Sequence, residues 1–405
     1  MKRPLRMAAR IFIIIVMIIA ALAFIFRAKI HEYYAIYQYA NTFKPDVIDE
    51  NFRSLYKLYP SIRVAQSGEI NVLTYNERPL PETYIYKGET KQIADWLERS
   101  QTTGFLVMKD SVIVHEQYER GNTEHTQSIA MSMSKSMISF LIGNAVRDGL
   151  ISLDQTVDHY APQLAEGGYK GVTVKNALQM SSGIGFNEDY GDLSSDIVRY
   201  IIQMLTGSVK DFTAHLKNVR AQGTENIYVS ADTQVLSMVL EGATGKPMTE
   251  YFNEKLWSQL GAEADAYWLA DAKGDAVAAG GLNAVLRDYA RFGLLYMNDG
   301  RNFKGQQLVP AEWVRASVTP DAPHLMPGRD DPHIGKSMGY GYQWWIPSVP
   351  QGDFSAVGIY GQFIYVNPRQ KVVIAKTSAY VDYNKDGRQL KDESIVVFQA
   401  IADAL

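Results

Sequence analysis

Sixteen apolar residues run without a break from Ile11 to Phe26, bounded by Arg10 and Arg27. At 1.5 Å per residue this run spans about 24 Å as a helix, a little short of the roughly 30 Å hydrocarbon core of a membrane. Met7–Ala9 and snorkelling of the flanking arginines make up the difference. Beyond it the hydrophobic period changes. Thr103–Met108 and Val112–Tyr118 are β-rich runs separated by Lys109-Asp110-Ser111, which predicts a hairpin. From about Ser132, Met133, Met137, Phe140, Leu141 and Ala145 recur at helical spacing, with Asp148-Gly149 as the stop. Residues 155–290 read as mostly helical with glycine punctuation. After a helix from Glu312, strands are predicted over Tyr340–Ile346, Phe354–Tyr360, Phe363–Val366 and Val372–Thr377, then an amphipathic helix over Glu393–Leu405. β-Segments therefore flank a helical block. That order predicts an α+β fold whose sheet is built from both ends of the body and interrupted by a helical domain.

Charge sharpens this division. Of the 40 Lys/Arg and 44 Asp/Glu in the 405 residues, six bases and no acid lie in residues 1–29. Four bases precede the apolar run, so the N-terminus is expected to stay cytoplasmic and the body to be exported. The rival is a cleaved signal peptide with Ala21-Leu22-Ala23 as its cleavage site, although the chain stays apolar through Phe24-Ile25-Phe26. The expected division is a cytoplasmic stub with its anchor or signal (1–27), a tyrosine-rich juxtamembrane helix and spacer (28–84), and a catalytic domain (85–405). The acidic body argues against nucleic acid as the main partner. With no cysteine, a thiol nucleophile, a Cys-zinc site and disulfides are excluded.

Three short elements carry candidate chemistry. In Ser132-Met133-Ser134-Lys135, residues i and i+3 share one helix face about 5–6 Å apart. A serine at a helix start sits among free N–H groups, and a buried lysine one turn on can take its proton. A plain helix start fits the same residues. Ser54-Leu55-Tyr56-Lys57 has the same spacing and reads as a solvated helix face. Tyr228-Val229-Ser230 places two side chains on one side of an extended segment, where a phenol could relay a proton. Ser230 could equally be an N-cap and Tyr228 a core residue. In Ala356-Val357-Gly358-Ile359, Gly358 admits a close backbone approach, and the Ile359 N–H could join that of Ser132 in an oxyanion hole. Such a glycine also marks ordinary bulges.

In this order the three elements resemble the serine β-lactamase/penicillin-binding protein superfamily, whose marks are Ser-x-x-Lys, Tyr-x-Asn and Lys-Thr-Gly. The resemblance covers roughly residues 85–405 and is nearest the class C-like branch of 6-aminohexanoate-dimer hydrolases and related esterases. Val172-Thr173-Val174 through Gly183, Gly280-Gly281-Leu282 and Tyr340-Gly341-Tyr342-Gln343-Trp344-Trp345 support it. It implies a β-lactamase-like fold, with an antiparallel sheet flanked by helices and an inserted helical domain. It further implies Ser132 as the acylated nucleophile, Lys135 as its base, Tyr228 as proton relay and Tyr190 as a cleft contact. The chain departs from the family marks at Ser230, in place of asparagine, and at Ala356, in place of the lysine that meets substrate carboxylates. That departure favours amide or ester substrates over β-lactams.

Other motifs carry less. His115-Glu116-Gln117-Tyr118-Glu119 lacks the second histidine of a zinc helix, and Gly335-Lys336-Ser337 lacks the earlier glycine of a phosphate loop. No Gly-x-Ser-x-Gly occurs, against an α/β-hydrolase. Asp382 to Glu393 matches the spacing of a calcium loop, though a polar strand-to-helix turn fits as well. The reading is an exported, single-pass serine hydrolase with its catalytic domain outside the membrane. It needs no cofactor, metal, nucleic acid or obligatory protein partner. Its rivals are a D-alanyl-D-alanine peptidase or β-lactamase, and a non-hydrolytic penicillin sensor.

Overall fold

The computed structural model describes residues 2–331 and 335–405; the side chains of residues 2–11, 18–26 and 28 fall outside that description. Its first element, α1 (Lys2–Thr42), is a single helix. The six consecutive residues Phe12–Met17 are all exposed, and six consecutive positions cover every side of a helix. Among the described residues no helix is long and apolar enough to cross a membrane. Most of the apolar run over residues 11–26 lies outside the described side chains.

The end of α1 turns into the body. Ala35 and Tyr39 are buried with Ile48, Phe52 and Leu55 in a cluster that also holds Ile129, Ile197 and Tyr360. Ser61–Val64 then pairs antiparallel with Ala266–Leu269. The stretch read as a spacer, 28–84, therefore contributes core side chains and a strand. The apolar positions that do this are scattered among tyrosines, so no period announced them.

The main sheet has seven strands: β1 (Thr102–Lys109), β2 (Val112–Tyr118), β3 (Gly339–Tyr340), β4 (Trp345–Ile346), β5 (Phe354–Gly358), β6 (Gln362–Asn367) and β7 (Val372–Ser378). Their spatial order is β3-β4-β5-β6-β7-β1-β2. β7 lies antiparallel to β1, with Ile374 opposite Val107, so the two ends of the body close into one sheet. The run expected as one strand over Tyr340–Ile346 is two short strands instead. The Gln343 N–H leaves the ladder to donate to Leu178 O at 3.1 Å, and Gln343 has a left-handed φ of 62°.

The helices that matter below are α2 (Ser134–Arg147), α3 (Asp196–Thr206), α4 (Ser230–Thr244), α5 (Leu286–Met297) and α6 (Tyr383–Ala404). Successive strand residues face opposite sides, and here both sides are covered. Phe105, Val107, Phe363, Tyr365 and Ile374 pack with Phe398 and Ile401 of α6. Leu106, Met108, Ile364, Val366 and Val373 pack with α2 and α5 on the other face. Burial on both faces is why these strands read as continuous apolar runs, each fully buried large side chain contributing about 1.5–3 kcal/mol. α2 is buried from Ser134 through Ala145 and runs through the middle of the molecule. Gly143 is required there, because a Cβ would lie 2.5 Å from Trp313 Nε1.

α6 begins ten residues earlier than the amphipathic pattern suggested, so most of the calcium-like spacing lies within a helix kinked at Asp386. Glu393, its final position, instead faces Arg99 at 2.6 Å and Lys91 at 3.2 Å and accepts from Tyr84 Oη at 2.7 Å. Those partners occupy the carboxylate that calcium would need. Ser54, the competing serine, donates to Glu50 O at 2.7 Å on the surface, ahead of a four-residue helix.

Candidate active site

The short strand Ser128–Ile129 pairs with Leu282–Ala284 and delivers the chain to a tight turn, Met131–Met133, that leads into α2. Met131 is held at φ 48°, a left-handed conformation costing an ordinary residue about 1–2 kcal/mol. The bend leaves Ser132 8% exposed, lining the cleft just ahead of α2. Helical geometry then puts Lys135 beneath it, as the spacing required.

Lys135 is 1% exposed, and its Nζ donates to Ser132 Oγ at 2.8 Å, to Ser230 Oγ at 3.2 Å and to Ala279 O. Burial lowers its pKa to about 8, and the charge of Glu188 opposes that shift. Neutral lysine is therefore accessible near neutral pH. The same Nζ lies 5.2 Å from the centroid of the Tyr228 ring. Tyr228 stacks on Trp345 at 5.5 Å and meets Tyr340 edge-on. Burial pushes its phenol well above the ordinary tyrosine value, Glu188 adding to the effect and a hydrogen bond with Ser132 opposing it. Tyr228 is therefore a protonated hydroxyl beside the serine.

Ser230 is not the N-cap that its sequence suits. Val229 occupies the flanking position with an extended φ of −133°, and Ser230 opens α4 with its hydroxyl turned to Lys135. Its backbone N–H donates to Glu188, a residue sequence reasoning passed over. Glu188 also accepts from Tyr190 Oη at 3.1 Å. Burial raises its carboxyl pKa, and the charge of Lys135 opposes that rise. A lone acid in a loop has no spacing signature, so only the fold could find it.

β5 closes the other side. A Cβ on Gly358 would sit 2.5 Å from Ala130 O and 3.1 Å from Met131 Cβ, so this strand presses directly on the turn that carries Ser132. Ile359 follows, then Tyr360 and Gly361 at φ 63° and 91°. The turn is clamped by aromatics from the N-terminal segment. Phe43 stacks on Tyr360 at 5.2 Å, and Phe52 meets it edge-on at 5.2 Å. Ala356 is buried where the family lysine would stand. Cations reach the cleft from α6 instead, as Lys385, Arg388 and Lys391, alongside Glu188, Asp189 and Asp386.

Two cavities meet at this point. The polar one, about 620 Å³, includes Tyr228, Trp345, Gly358 and the α6 charges in its lining. The second, about 100 Å³, is lined by apolar and uncharged residues, with Ser230 among them. Ser132, Tyr190 and Ile359 line both. All seven sequence-selected residues are thus gathered around Ser132, with Glu188 as an eighth. Among the described residues no group of three or more His, Asp or Glu side chains is placed to hold a metal ion.

Residues 94–396 match the Beta-lactamase family. Over 293 residues the chain is 32% identical to the 6-aminohexanoate-dimer hydrolase of Paenarthrobacter ureafaciens, covering 71% of this chain and 74% of that protein. A solved structure from Bacillus anthracis, provisionally named a 6-aminohexanoate-dimer hydrolase, superimposes with a TM-score of 0.79 at 23% identity. It covers 89% of this chain and 95% of that one. A family VIII carboxylesterase superimposes at 0.57 and 19% identity, covering 77% and 95%. These two structural likenesses speak for the fold.

Proposed function

The chain belongs to the Beta-lactamase family and is a serine hydrolase; from that premise we propose that it cleaves an amide or ester bond through an acyl-enzyme on Ser132. The observation that carries the proposal is the 2.8 Å contact from Lys135 Nζ to Ser132 Oγ inside a site that lowers the lysine pKa to about 8. Neutral Lys135 takes the Oγ proton as the oxygen attacks the carbonyl carbon. The resulting oxyanion is held by the N–H groups of Ser132 and Ile359. The tetrahedral adduct collapses as Tyr228 gives its proton to the departing amine or alkoxide and recovers one from the Lys135 ammonium. Water then attacks the acyl-enzyme by the reverse proton path, releasing the acid and restoring Ser132. Labelling with a fluorophosphonate followed by peptide mass spectrometry tests this. An adduct at Ser132 is expected; an adduct at Ser54, or none, overturns it.

A second reading, a D-alanyl-D-alanine peptidase, draws support from Lys385, Arg388 and Lys391 in the polar cavity, which could meet a peptide carboxylate in place of the family lysine. We also propose that the apolar run Ile11–Phe26 anchors the enzyme in a membrane with its catalytic body outside, supported by the four preceding bases and the exposed residues Phe12–Met17. A reporter fused after Leu405 should be active outside the cytoplasm, and cytoplasmic activity would refute the orientation.

A further inference from the structure

We infer that the smaller cavity is an acyl-chain pocket, so the substrates are esters or amides whose acid part is a short, uncharged aliphatic chain of about four to six carbons. The inference rests on the acyl-enzyme reading and adds direction and chain identity to it. Ser132 stands where the two cavities meet, so one side must take the acyl group and the other the leaving group. Tyr228, which gives the leaving group its proton, lines only the polar cavity. The leaving group therefore departs on that side, and the acyl chain extends into the other.

The walls of the smaller cavity suit such a chain. Ile197, Ile201, Met204 and Leu205 occupy positions i, i+4, i+7 and i+8 along α3 and present one apolar stripe to it. Tyr39, near the end of α1, and Phe43, just beyond it, add to the wall. The Tyr39 hydroxyl also donates to Tyr190 O at 3.2 Å, tying α1 to the junction with the nucleophile. No residue lining this cavity carries a charge. An acyl chain ending in an ammonium would be buried there without a partner, which is strongly unfavourable. Size follows from volume. A cavity of about 150 Å³ takes a benzene ring, so about 100 Å³ takes roughly three to five carbons beyond the carbonyl. The step itself balances simply. The ester R–CO–OR′ loses R′–OH to form R–CO–Oγ of Ser132, and water releases R–COOH.

The full-length protein should be assayed with nitrophenyl acetate, butanoate, hexanoate and decanoate, and with the 6-aminohexanoate ester. kcat/KM should rise about three- to fourfold per added methylene up to butanoate or hexanoate, the value of one buried CH₂, and fall by decanoate. The 6-aminohexanoate ester should be poorer than hexanoate by about a hundredfold or more. Ile201→Trp, which fills the stripe, should cost hexanoate at least about tenfold more than acetate. If that variant does not fold, the chain-length series decides alone. A flat or falling series, equal rates for the two six-carbon acids, or a folded Ile201→Trp that lowers acetate and hexanoate alike overturns the acyl pocket while a Ser132 adduct leaves the acyl-enzyme standing. Absence of hydrolysis together with absence of an adduct overturns the reading beneath both.

Discussion

Adding one methyl group at Gly358 should disable the enzyme while leaving it folded. In the structure that carbon would lie 2.5 Å from Ala130 O, 2.9 Å from Gln362 Cβ and 3.1 Å from Met131 Cβ. Carbon–oxygen contacts settle near 3.3 Å or beyond, so strand and turn must separate by about 0.8 Å. Neither side yields easily. The Ala130 N–H donates to Leu282 O at 2.7 Å, and β5 pairs with β6 through Gly358 opposite Gln362. The displacement falls between Ser132 and Ile359, the two N–H groups proposed to hold the oxyanion. Misplacing a reacting group by about 1 Å costs up to about a hundredfold, and losing one oxyanion donor costs about a hundred- to a thousandfold. Gly358→Ala should therefore lower kcat for nitrophenyl butanoate about a hundredfold with little change in KM. Overpacking should lower stability by about 1–3 kcal/mol, read as a modest fall in Tm. A folded Gly358→Ala enzyme with kcat within about fivefold of the parent would refute the close approach as a catalytic requirement.

Ser132→Ala and Lys135→Ala should each remove nearly all ester hydrolysis, and the double variant should be scarcely worse if, as proposed, the two groups act as one unit; a Lys135→Ala enzyme within tenfold of the parent would show the lysine to be structural. Activity should climb with pH as Lys135 loses its proton, reaching about a tenth of its plateau at pH 7 for a base titrating at about 8. Glu188→Gln removes the negative charge that favours the ammonium, so the midpoint should move to lower pH; a pH profile that keeps its midpoint while losing height would make Glu188 a packing residue only. Because Ala356 stands in place of the cation that meets β-lactam carboxylates, nitrocefin should turn over poorly against short nitrophenyl esters, and equal or better kcat/KM for nitrocefin would reverse the substrate assignment.

Composition and local pattern were enough for what depends on neighbours in the chain. The hairpin of β1 and β2 followed from β-rich runs about a short polar turn. The pairing of Ser132 with Lys135 followed from helical pitch, and the sheet's assembly from both ends followed from apolar runs flanking a helical block. Contacts between distant residues had no such signal. Glu188 reaches Ser230 across 42 residues and Tyr39 reaches Tyr190 across 151. The fold alone made one of them a neighbour of Lys135 and the other a wall of the cleft. Residues 28–84 read as a spacer because their aromatics follow no period, yet Phe43 and Phe52 clamp the Tyr360 turn and Tyr39 helps enclose the apolar cavity. Lys385, Arg388 and Lys391 line the polar cavity from α6, whose first turns were read as a polar strand-to-helix turn. A helix or hairpin is specified by side chains a few positions apart, so its chemistry is legible in order. The shape and polarity of a cleft depend on which distant surfaces pack together, and that was decided only in three dimensions.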